Sequence, residues 1–286
     1  MKRKFKQPGI SLMEMTVVVS IVALLAVLAM PAVRALIGSF ETSGGARCMI
    51  SAALSTARGI AAKEQHYAGV RFQKAYNPDD PNNLLNAPQY MIFIVQDTAI
   101  GAYFFRAVDG LQPIKLPESI GVMDLIRVSR DYNPGNYQTY ITGETRIGND
   151  AMIAGQSDLI DTTAFSIVFS PSGKMVIHKV RVRNKNGFVD SAGNLDISYD
   201  DVFNKKARVD AGLAMFCQDD YFDPDLNSYQ DFGLGPESSR NRFIIYETEK
   251  FRQAYSKDRA WTDYLSRAAV EGMICINPYT GTIINK

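Results

Sequence analysis

Glu14 is the only charged residue in a largely apolar stretch that runs from Ile10 to Val33. At about 1.5 Å per residue, a helix of this stretch is long enough to cross a hydrocarbon core of about 30 Å. A carboxylate there costs about 2.5–3.5 kcal/mol at mid-bilayer and less near an interface, so it needs a partner. Four cations lie within the first six residues, and Gly9 separates them from the apolar stretch. The pattern predicts a transmembrane segment in which Glu14 has a specific task.

A group of aspartates in the second half of the chain is a candidate calcium site. Its members are Asp219, Asp220, Asp223 and Asp225. Ca²⁺ takes six to eight oxygen ligands, which closely spaced carboxylates can supply. The ligand spacing of an EF-hand is absent, however, and acidic loop residues are more often simply hydrated. Ca²⁺ is the only cofactor that the sequence suggests, and a solvated loop is the alternative.

No set of residues predicts a catalytic site. His66 and His178 are the only histidines, and neither belongs to a nucleophile, metal-binding or phosphate-binding motif. We therefore expect two structural histidines and a protein that is not an enzyme. Lys179, Arg181 and Arg183 alternate along a predicted strand and so share one face. We expect this face to be solvated, and a nucleic-acid-binding patch is the alternative.

The charge balance argues against a nucleic-acid partner. The 286-residue chain has 31 Lys and Arg against 30 Asp and Glu, and without the four leading cations the balance is 27 against 30. A mildly acidic protein has no general affinity for phosphate backbones. Hydrophobic residues make up 46% of the chain, which suits a packed core. Cys48, Cys217 and Cys275 lack metal-site spacing, and a Cys217–Cys275 disulfide stays open.

The order of basic leader, Gly9, Glu14 and unbroken apolar stretch resembles the prepilin signal of type IV pilins and type II secretion pseudopilins. The resemblance implies cleavage between Gly9 and Ile10 by prepilin peptidase, followed by N-methylation of Ile10. Glu14 would then be the fifth mature residue, where the family uses a glutamate to neutralise the terminal amine of a neighbouring subunit. Pro31 falls where many members carry proline, and with Glu14 it forms the expected assembly residues. Ile10 departs mildly from the family, in which Phe or Met is commoner.

A secretory signal peptide and a plain membrane anchor are the two alternatives to a prepilin signal. A signal peptide usually has an apolar core of about 7–15 residues and an A-x-A exit. The stretch here is longer, and Ala32–Ala35 is a poor match to that exit. An anchor would let Glu14 reach the lipid headgroups, but it has no need of Gly9.

The periodicity of the apolar residues predicts the elements that follow the apolar stretch. Residues 34–66 are expected to continue as an amphipathic helix, interrupted at Ser43–Gly45, and a further helix is expected over Ala260–Glu271. The apolar stripe expected to lie on a sheet consists of Met49, Ala52, Ala53, Ala57, Ile60 and Ala61. The predicted strands are Ala68–Phe72, Tyr90–Val95, Ala102–Val108, Ala164–Ser170, Met175–Arg183, Phe243–Tyr246, Ile274–Ile276 and Thr282–Ile284.

Four segments, taken in order, resemble the H-type minor pseudopilins and related minor pilins. They are Ser55–Ala61 followed by Val70–Phe72, the turn Leu116–Ile120, the hairpin Phe169–Gly173 and the turn Asn277–Gly281. The chain is much longer than typical members, with extra residues near 128–163 and 185–241. The resemblance of the head is therefore weaker than that of the N-terminal signal.

Together these observations predict an α+β fold of pilin-like, lollipop form. A long N-terminal transmembrane and amphipathic helix would pack on an antiparallel, β-rich globular head. The expected parts are a leader (residues 1–9), a transmembrane and assembly helix (10–33), its amphipathic continuation (34–66) and a periplasmic head (67–286).

The expected function is that of a non-enzymatic minor pseudopilin in a type II secretion pseudopilus. Its expected partners are prepilin peptidase, other pilin or pseudopilin subunits and the inner-membrane assembly platform. The expected location is the bacterial inner membrane, crossed once with the C-terminal head in the periplasm, and then a periplasmic or cell-surface filament. The alternatives are a minor type IV pilin for adhesion or DNA uptake and a single-pass anchored periplasmic protein.

Overall fold

The computed structural model describes residues 13, 15–25, 43–75, 83–98, 102–133, 138–183, 200–204, 206–217, 220–223, 228–231 and 236–285. Residues 15–25 form a helical stretch, called the apolar segment below. The labelled helices are Ser43–Glu64 (α1), Asn83–Asn86 (α2), Gln156–Thr163 (α3), Lys206–Asp210 (α4), Thr248–Tyr255 (α5) and Ser266–Glu271 (α6). A 3-10 turn over Asp150–Ile153 and a π-helical turn over Trp261–Leu265 complete the helical elements of the described ranges.

The strands of the described chain are short and numerous. They are Ala68–Lys74 (β1), Gln89–Gln96 (β2), Phe104–Ala107 (β3), Ile114–Lys115 (β4), Ile120–Met123 (β5), Ile126–Asn133 (β6), Gln138–Arg146 (β7), Phe165–Phe169 (β8), Met175–Val176 (β9), Lys179–Val182 (β10), Phe203–Asn204 (β11), Phe216–Cys217 (β12), Asp220–Asp223 (β13), Ser228–Asp231 (β14), Glu237–Ser238 (β15), Arg242–Glu247 (β16), Met273–Ile276 (β17) and Ile283–Asn285 (β18).

The largest sheet has eight strands and forms half a barrel. Its order is β15-β10-β3-β2-β1-β8-β9, and β4 also pairs with β2. β10 runs parallel to β3, with Arg181 opposite Phe104, whereas β1 is antiparallel to both β2 and β8. The sheet therefore mixes strand directions.

Apolar clusters cover both faces of this sheet, so β1 and most of β2 are buried along their length. On one face, Ile50, Leu54 and Ala57 of α1 pack in the same cluster as Val70, Phe72 and Phe93. On the other face, Phe203 and Phe216 pack in a cluster with Ile92, Ile94 and Phe105. A strand buried on both faces needs apolar residues at consecutive positions, which is the composition of β2.

A second sheet of four strands, in the order β18-β17-β16-β5, carries α5 and α6 and a cluster of its own. Gln89 of β2 joins the two sheets with its side chain. Its amide nitrogen donates to the carbonyl oxygens of Val122 (2.9 Å) and Thr163 (2.8 Å), and its amide oxygen accepts from the Val122 N–H (2.7 Å). Because β5 is the edge strand of the second sheet, Gln89 stands where the next strand would be.

The fold class predicted from the sequence is wrong. The described residues form a mixed α/β fold around the half-barrel sheet, rather than an α+β, pilin-like lollipop with an antiparallel head. Two strand pairs, β3–β10 and β11–β12, run parallel. The one long helix of the described chain, α1, lies in the predicted amphipathic part and is not apolar enough to cross a membrane, since Arg47, Arg58 and Lys63 interrupt its alanines. The predicted transmembrane helix, residues 10–33, lies only partly within the described residues. No helix within the described ranges is both long and apolar enough to cross a membrane.

The interruption that the sequence predicted at Ser43–Gly45 is absent from the helix before the sheet. Ser43 starts α1, so Gly44 and Gly45 lie in its first turn instead of interrupting it. Gln65, with a φ of 57°, ends the helix in the left-handed conformation that is common just after a helix. The buried stripe of α1 consists of Ala46, Ile50, Ala53, Leu54, Ala57 and Ala61. Ala52, predicted to lie in the stripe, is exposed, and Met49 and Ile60 lie at its edge.

The predicted strands are present, with one change in their pairing. The strand expected over Met175–Arg183 is divided, because β9 pairs with β8 whereas β10 crosses to β3 and β15. The extra residues near 128–163 contain the β6–β7 hairpin and α3, and those near 185–241 contain β11 to β15. Periodicity reports which side of a strand is buried, not which strand lies beside it, so this crossover leaves no signal in the sequence.

Candidate functional site

The apolar segment, residues 15–25, is the most unusual surface of the described chain. Its large apolar side chains are about half exposed or more, from 51% for Val17 to 61% for Val19 and Leu24. Its polar residues add little polarity, because the Ser20 hydroxyl donates to the Thr16 carbonyl oxygen (2.8 Å) within the helix. A contiguous apolar surface of this kind marks a site of contact with a membrane or another protein.

The residues predicted to direct processing and assembly surround this segment. Gly9, Ile10, Glu14 and Pro31 all lie outside the described residues. Residues 13 and 15, on either side of Glu14, are helical and exposed. Cleavage before Ile10 and the assembly role of Glu14 and Pro31 stay predictions.

The predicted calcium residues are divided between described and undescribed positions. Asp220 and Asp223 are the first and last residues of β13, which pairs with β14 so that Asp220 lies opposite Asp231. Asp219 and Asp225 lie outside the described residues. No group of three or more His, Cys, Asp or Glu residues among the described positions could hold a metal ion. A Ca²⁺ ligand role for the four aspartates stays a prediction.

The alternating cations of β10 do not form the solvated face that the sequence predicted. Lys179 is exposed, but Arg181 is 5% exposed and Arg183 is fully buried. The guanidinium of Arg181 lies 5.3 Å from the centre of the Phe104 ring, and that of Arg183 lies 3.8 Å from Asp97. The expectation failed because Arg181 packs over the Phe104 ring and Arg183 lies beside Asp97, contacts that the alternation of charges along the strand does not record.

The two histidines have different surroundings. His66 is exposed just after α1. The His178 ring lies 4.4 Å from the centre of the Tyr67 ring and 5.7 Å from that of Phe105, and its Nδ1 lies 2.6 Å from the Lys179 carbonyl oxygen. Cys48 is exposed and Cys275 is half-buried, both as free thiols.

Residues Glu237–Arg240, which we call the strap, contribute two buried ion pairs that the sequence did not predict. Glu237 Oε1 lies 2.6 Å from Arg71 Nη1, and the two side chains are 1% and 3% exposed. Arg71 also donates to Gln73 (2.6 Å) and Ser166 (3.2 Å). The pair joins the strap to the centre of β1. Its only signal in the sequence is Arg71, a cation at the middle of an apolar strand.

The second pair of the strap reaches the other sheet. Arg240 Nε lies 2.5 Å from Asp124 Oδ2, and Arg240 Nη1 lies 2.8 Å from Glu144 Oε2. Burial raises the pKa of the Asp124 carboxyl to about 7, although Arg240 opposes that change. The backbone N–H of Arg240 also donates to the Ser166 carbonyl oxygen (2.7 Å). The strap therefore ties β1, β7 and β8 to the end of β5, and it is a structural connection without an accessible reactive group.

Three of the four segments that resemble H-type minor pseudopilins meet at Arg58 of α1. Its Nη1 donates to the Thr280 carbonyl oxygen (2.8 Å) in the terminal turn. A Cβ added at Gly173 of the hairpin would lie 2.8 Å from Arg58 Nε, and one added at Gly281 would lie 2.8 Å from the Phe169 ring. Both glycines have positive φ, 76° and 69°. Glycine is therefore needed at both turns for conformation and for space.

A groove of about 710 Å³ runs between the start of α1, the end of β16 and α5 and α6. Its charges are mixed: Lys250 lies 2.8 Å from Glu247, and the Glu247 N–H donates to the Tyr264 hydroxyl oxygen (2.7 Å). The described residues that line it include no serine, cysteine or histidine. They therefore supply no Ser–His or Cys–His pair.

No family model, curated protein or solved structure matches this chain. Functional assignment therefore rests on the residues and their geometry. Within the described chain, the exposed apolar segment is the feature that most requires a partner.

Proposed function

We propose that this protein is a non-enzymatic minor pseudopilin, a structural subunit of a type II secretion pseudopilus. Prepilin peptidase removes residues 1–9, and the mature subunit assembles into a helical fibre that helps to export proteins. The observation that carries the proposal is the exposure of the apolar segment, residues 15–25, directly after the predicted signal around Gly9 and Glu14.

Exposed apolar side chains are stabilised when lipid or another protein covers them. Each Å² of apolar surface that leaves water contributes roughly 25 cal/mol, so a segment exposed on all sides favours transfer to lipid or to other subunits. A pseudopilin precursor uses both partners in turn. The bilayer covers the segment before assembly, and neighbouring subunits cover it in the fibre.

The charges around the segment set its orientation. The cations of residues 1–9 keep the leader in the cytoplasm, because Lys and Arg are enriched on that side of the bacterial inner membrane. The residues that follow the segment then lie in the periplasm. Assembly extracts the subunit from the membrane into a periplasmic or cell-surface filament.

The junction around Arg58 supports the assignment to the H-type group. Segments far apart in the sequence, the helix, the hairpin and the terminal turn, share one contact site. Turns that any β protein could use separately become more specific when a single side chain joins them.

Intact-mass analysis of the protein extracted from bacterial membranes tests the proposal. The expected mass is that of residues 10–286 with one added methyl group. Replacing Gly9 with a bulky residue should leave the precursor uncut, whereas Gly9→Ala should be partly processed because alanine is nearly as small. A chain that still begins at Met1 in cells with active peptidase would contradict the proposal and favour a plain anchor.

A further inference from the structure

A cavity of about 190 Å³ lies where the two sheets meet, next to the larger groove, with which it shares Ile120 and Tyr246. Lys74 at the end of β1 and Gln89 at the start of β2 line one side, and Tyr246 of β16 and Arg252 of α5 line the other. The turn between β4 and β5, including Glu118, forms its rim. The cavity thus collects side chains from both sheets and from a helix of the second one.

Lys74 brings a buried positive charge to this cavity. The residue is 7% exposed, and its ammonium donates to the carbonyl oxygens of Leu84 (2.9 Å) and Leu85 (3.3 Å). An ammonium has three N–H donors, so one remains. Within the described chain no acidic side chain forms an ion pair with Lys74, and a buried cation without one is costly.

Arg252 adds a second cation next to the first. Its Nη1 pairs with Glu249 at 3.2 Å on the outer side of α5, whereas its buried Nε has no hydrogen-bond partner among the described residues. Burial, and then the charge of Arg252, lower the pKa of Lys74 to about 8. The two cations therefore repel each other across the cavity.

Tyr246 completes the set of donors. The residue is 1% exposed, and its hydroxyl has no hydrogen-bond partner in the part of the chain that the structure describes. Its ring and hydroxyl occupy the space that a side chain at Gly121 would take, since a Cβ there would overlap both. Burial raises the pKa of the phenol, so it stays a neutral O–H donor. Buried polar groups without protein partners are rare and usually bond to a water or an ion.

We propose that this cavity binds a small oxyanion, held by the third N–H of Lys74, the Nε–H of Arg252 and the hydroxyl of Tyr246. The anion supplies acceptors to three donors that otherwise lack them and neutralises two neighbouring cations. Glu118 on the rim does not oppose it, because Lys115 lies 2.7 Å away and offsets its charge.

The size of the cavity limits the ligand to a small one. Its volume of about 190 Å³ is below the roughly 300–1,000 Å³ of sites for drug-sized ligands. It has room for inorganic phosphate or a short carboxylate, but not for a nucleotide. The chemistry common to both is two or more oxygens that share a negative charge, which suits charge-assisted hydrogen bonds.

Titration of the full-length protein in detergent with inorganic phosphate, at constant ionic strength set with chloride, tests this site. We expect saturable binding by calorimetry and a melting temperature that rises with phosphate, because a ligand of the folded state stabilises it. A parallel titration with acetate distinguishes a phosphate site from a carboxylate site. Absence of saturable binding of both anions would overturn the proposal.

Three variants assign the binding to the cavity. Lys74→Met and Arg252→Gln should each weaken anion binding roughly tenfold or more, which corresponds to about 1.4 kcal/mol. Lys250→Gln, on the same helix as Arg252 but lining the larger groove, should bind as the parent does. Arg252 is half-exposed, so its variant remains informative if Lys74→Met fails to fold. Equal binding by the parent and Arg252→Gln would place the anion elsewhere and refute the assignment.

Proton uptake gives a further measurement. Near pH 8 the Lys74 ammonium is partly deprotonated, and a bound anion raises its pKa. Binding at this pH should therefore take up protons, seen as a heat that depends on the ionisation enthalpy of the buffer. The uptake should vanish in Lys74→Met. Uptake that persists in this variant would show that another group titrates.

Discussion

Glu237 and Arg71 form an ion pair from which water is almost excluded. Their side chains are 1% and 3% exposed, so each charge relies on the other for the solvation it has lost. Removing one partner of such a pair leaves an uncompensated charge, which costs more than the pair itself contributes. The pair also holds the strap against β1. The contribution of the pair to stability is therefore tested by replacing one of the two residues.

Glu237→Gln should lower the free energy of unfolding by about 3–5 kcal/mol, because it leaves Arg71 buried without a counter-ion. Chemical denaturation of the full-length protein in detergent measures the loss. Glu249→Gln is the matched control, since Glu249 pairs with Arg252 at the surface and should change stability by about 1 kcal/mol or less. Equal losses in the two variants would mean that the Arg71–Glu237 pair is not protected from water.

Glu14→Ala should leave cleavage before Ile10 intact and strongly reduce co-purification with other fibre subunits. In the proposed precursor the carboxylate would lie near the cytoplasmic interface, where water and headgroups limit its cost. In the proposed fibre it would be surrounded by neighbouring helices and would need the amine freed at Ile10 as its partner. Affinity purification of the fibre from cells with either form measures the difference.

Glu14→Gln serves as the control for shape in this experiment. It keeps the size of the side chain but removes the charge, so it should fail in the same way as alanine. A variant of either kind that assembles like the parent would leave Glu14 as a residue that merely reaches the headgroups. The apolar segment would then act as an anchor.

At the scale of elements, the small residues of α1 set its distance from the main sheet. Ala53, Ala57 and Ala61 are at most 2% exposed and pack in the cluster that contains Val70 and Phe72 of β1. Small side chains allow the helix to lie close to a sheet whose own side chains are large. The helix and the sheet are therefore complementary in size at this contact.

Ala57→Leu should cost about 1–3 kcal/mol in unfolding free energy, because three more carbons must enter a filled interface. Ser55→Leu, on the exposed side of the same helix, should change it by about 0.5 kcal/mol or less. Thermal unfolding of both variants checks the expectation. If Ala57→Leu is as stable as Ser55→Leu, a cavity beneath the helix must accept the larger side chain.

The sequence predicted α1 and the central strands of the main sheet, but not β6, β7 or β11 to β15, and it did not predict that β10 pairs with β3 and β15. Short runs of apolar residues located β1, β2 and β16 to within two residues. The break between β9 and β10, which changes the fold class, depends on a crossover that periodicity does not record. Arg181 and Arg183 follow the pattern of a solvated face, yet Arg181 packs over Phe104 and Arg183 lies 3.8 Å from Asp97, both far earlier in the chain.

The cavity residues illustrate the same limit. Lys74 ends a strand in a pattern typical of an exposed terminal lysine, and its burial results from contacts with α2 and α5. From the sequence, Tyr246 looks like an ordinary aromatic residue of a strand. Contacts between distant segments decide both environments, so no local pattern could have identified them. The predicted prepilin signal is different because its residues would act through their order along one short stretch.

For the whole molecule, Gln89 determines how the two sheets are joined. Its amide satisfies the N–H and C=O of Val122 on the open edge of β5 and the C=O of Thr163. One side chain thus takes the place of a strand at the boundary between two apolar clusters. The hydrogen bonds fix the relative position of the sheets, which apolar contact alone would leave less defined.

Gln89→Leu should destabilise the protein by about 2 kcal/mol or more, since buried backbone groups left without partners cost roughly 1–3 kcal/mol each. Hydrogen exchange should show faster exchange at the Val122 amide than in the parent. Gln253→Leu, which removes an exposed amide that donates to Glu249, is the control and should leave this amide protected. Unchanged protection of Val122 in Gln89→Leu would mean that another group replaces the glutamine.

The residues that cover the second face of the main sheet are synthesised late. Ile94 packs in a cluster with Phe203, which is synthesised roughly 110 residues later. The cluster therefore cannot form until Phe203 has been added. At about 5–20 residues per second, the ribosome needs about 6 to 20 s to add them. Throughout that interval the apolar side chains on this face of the strands stay exposed to water. Its biogenesis should therefore depend on a chaperone that holds unfinished chains, even though the completed sheet is covered on both sides.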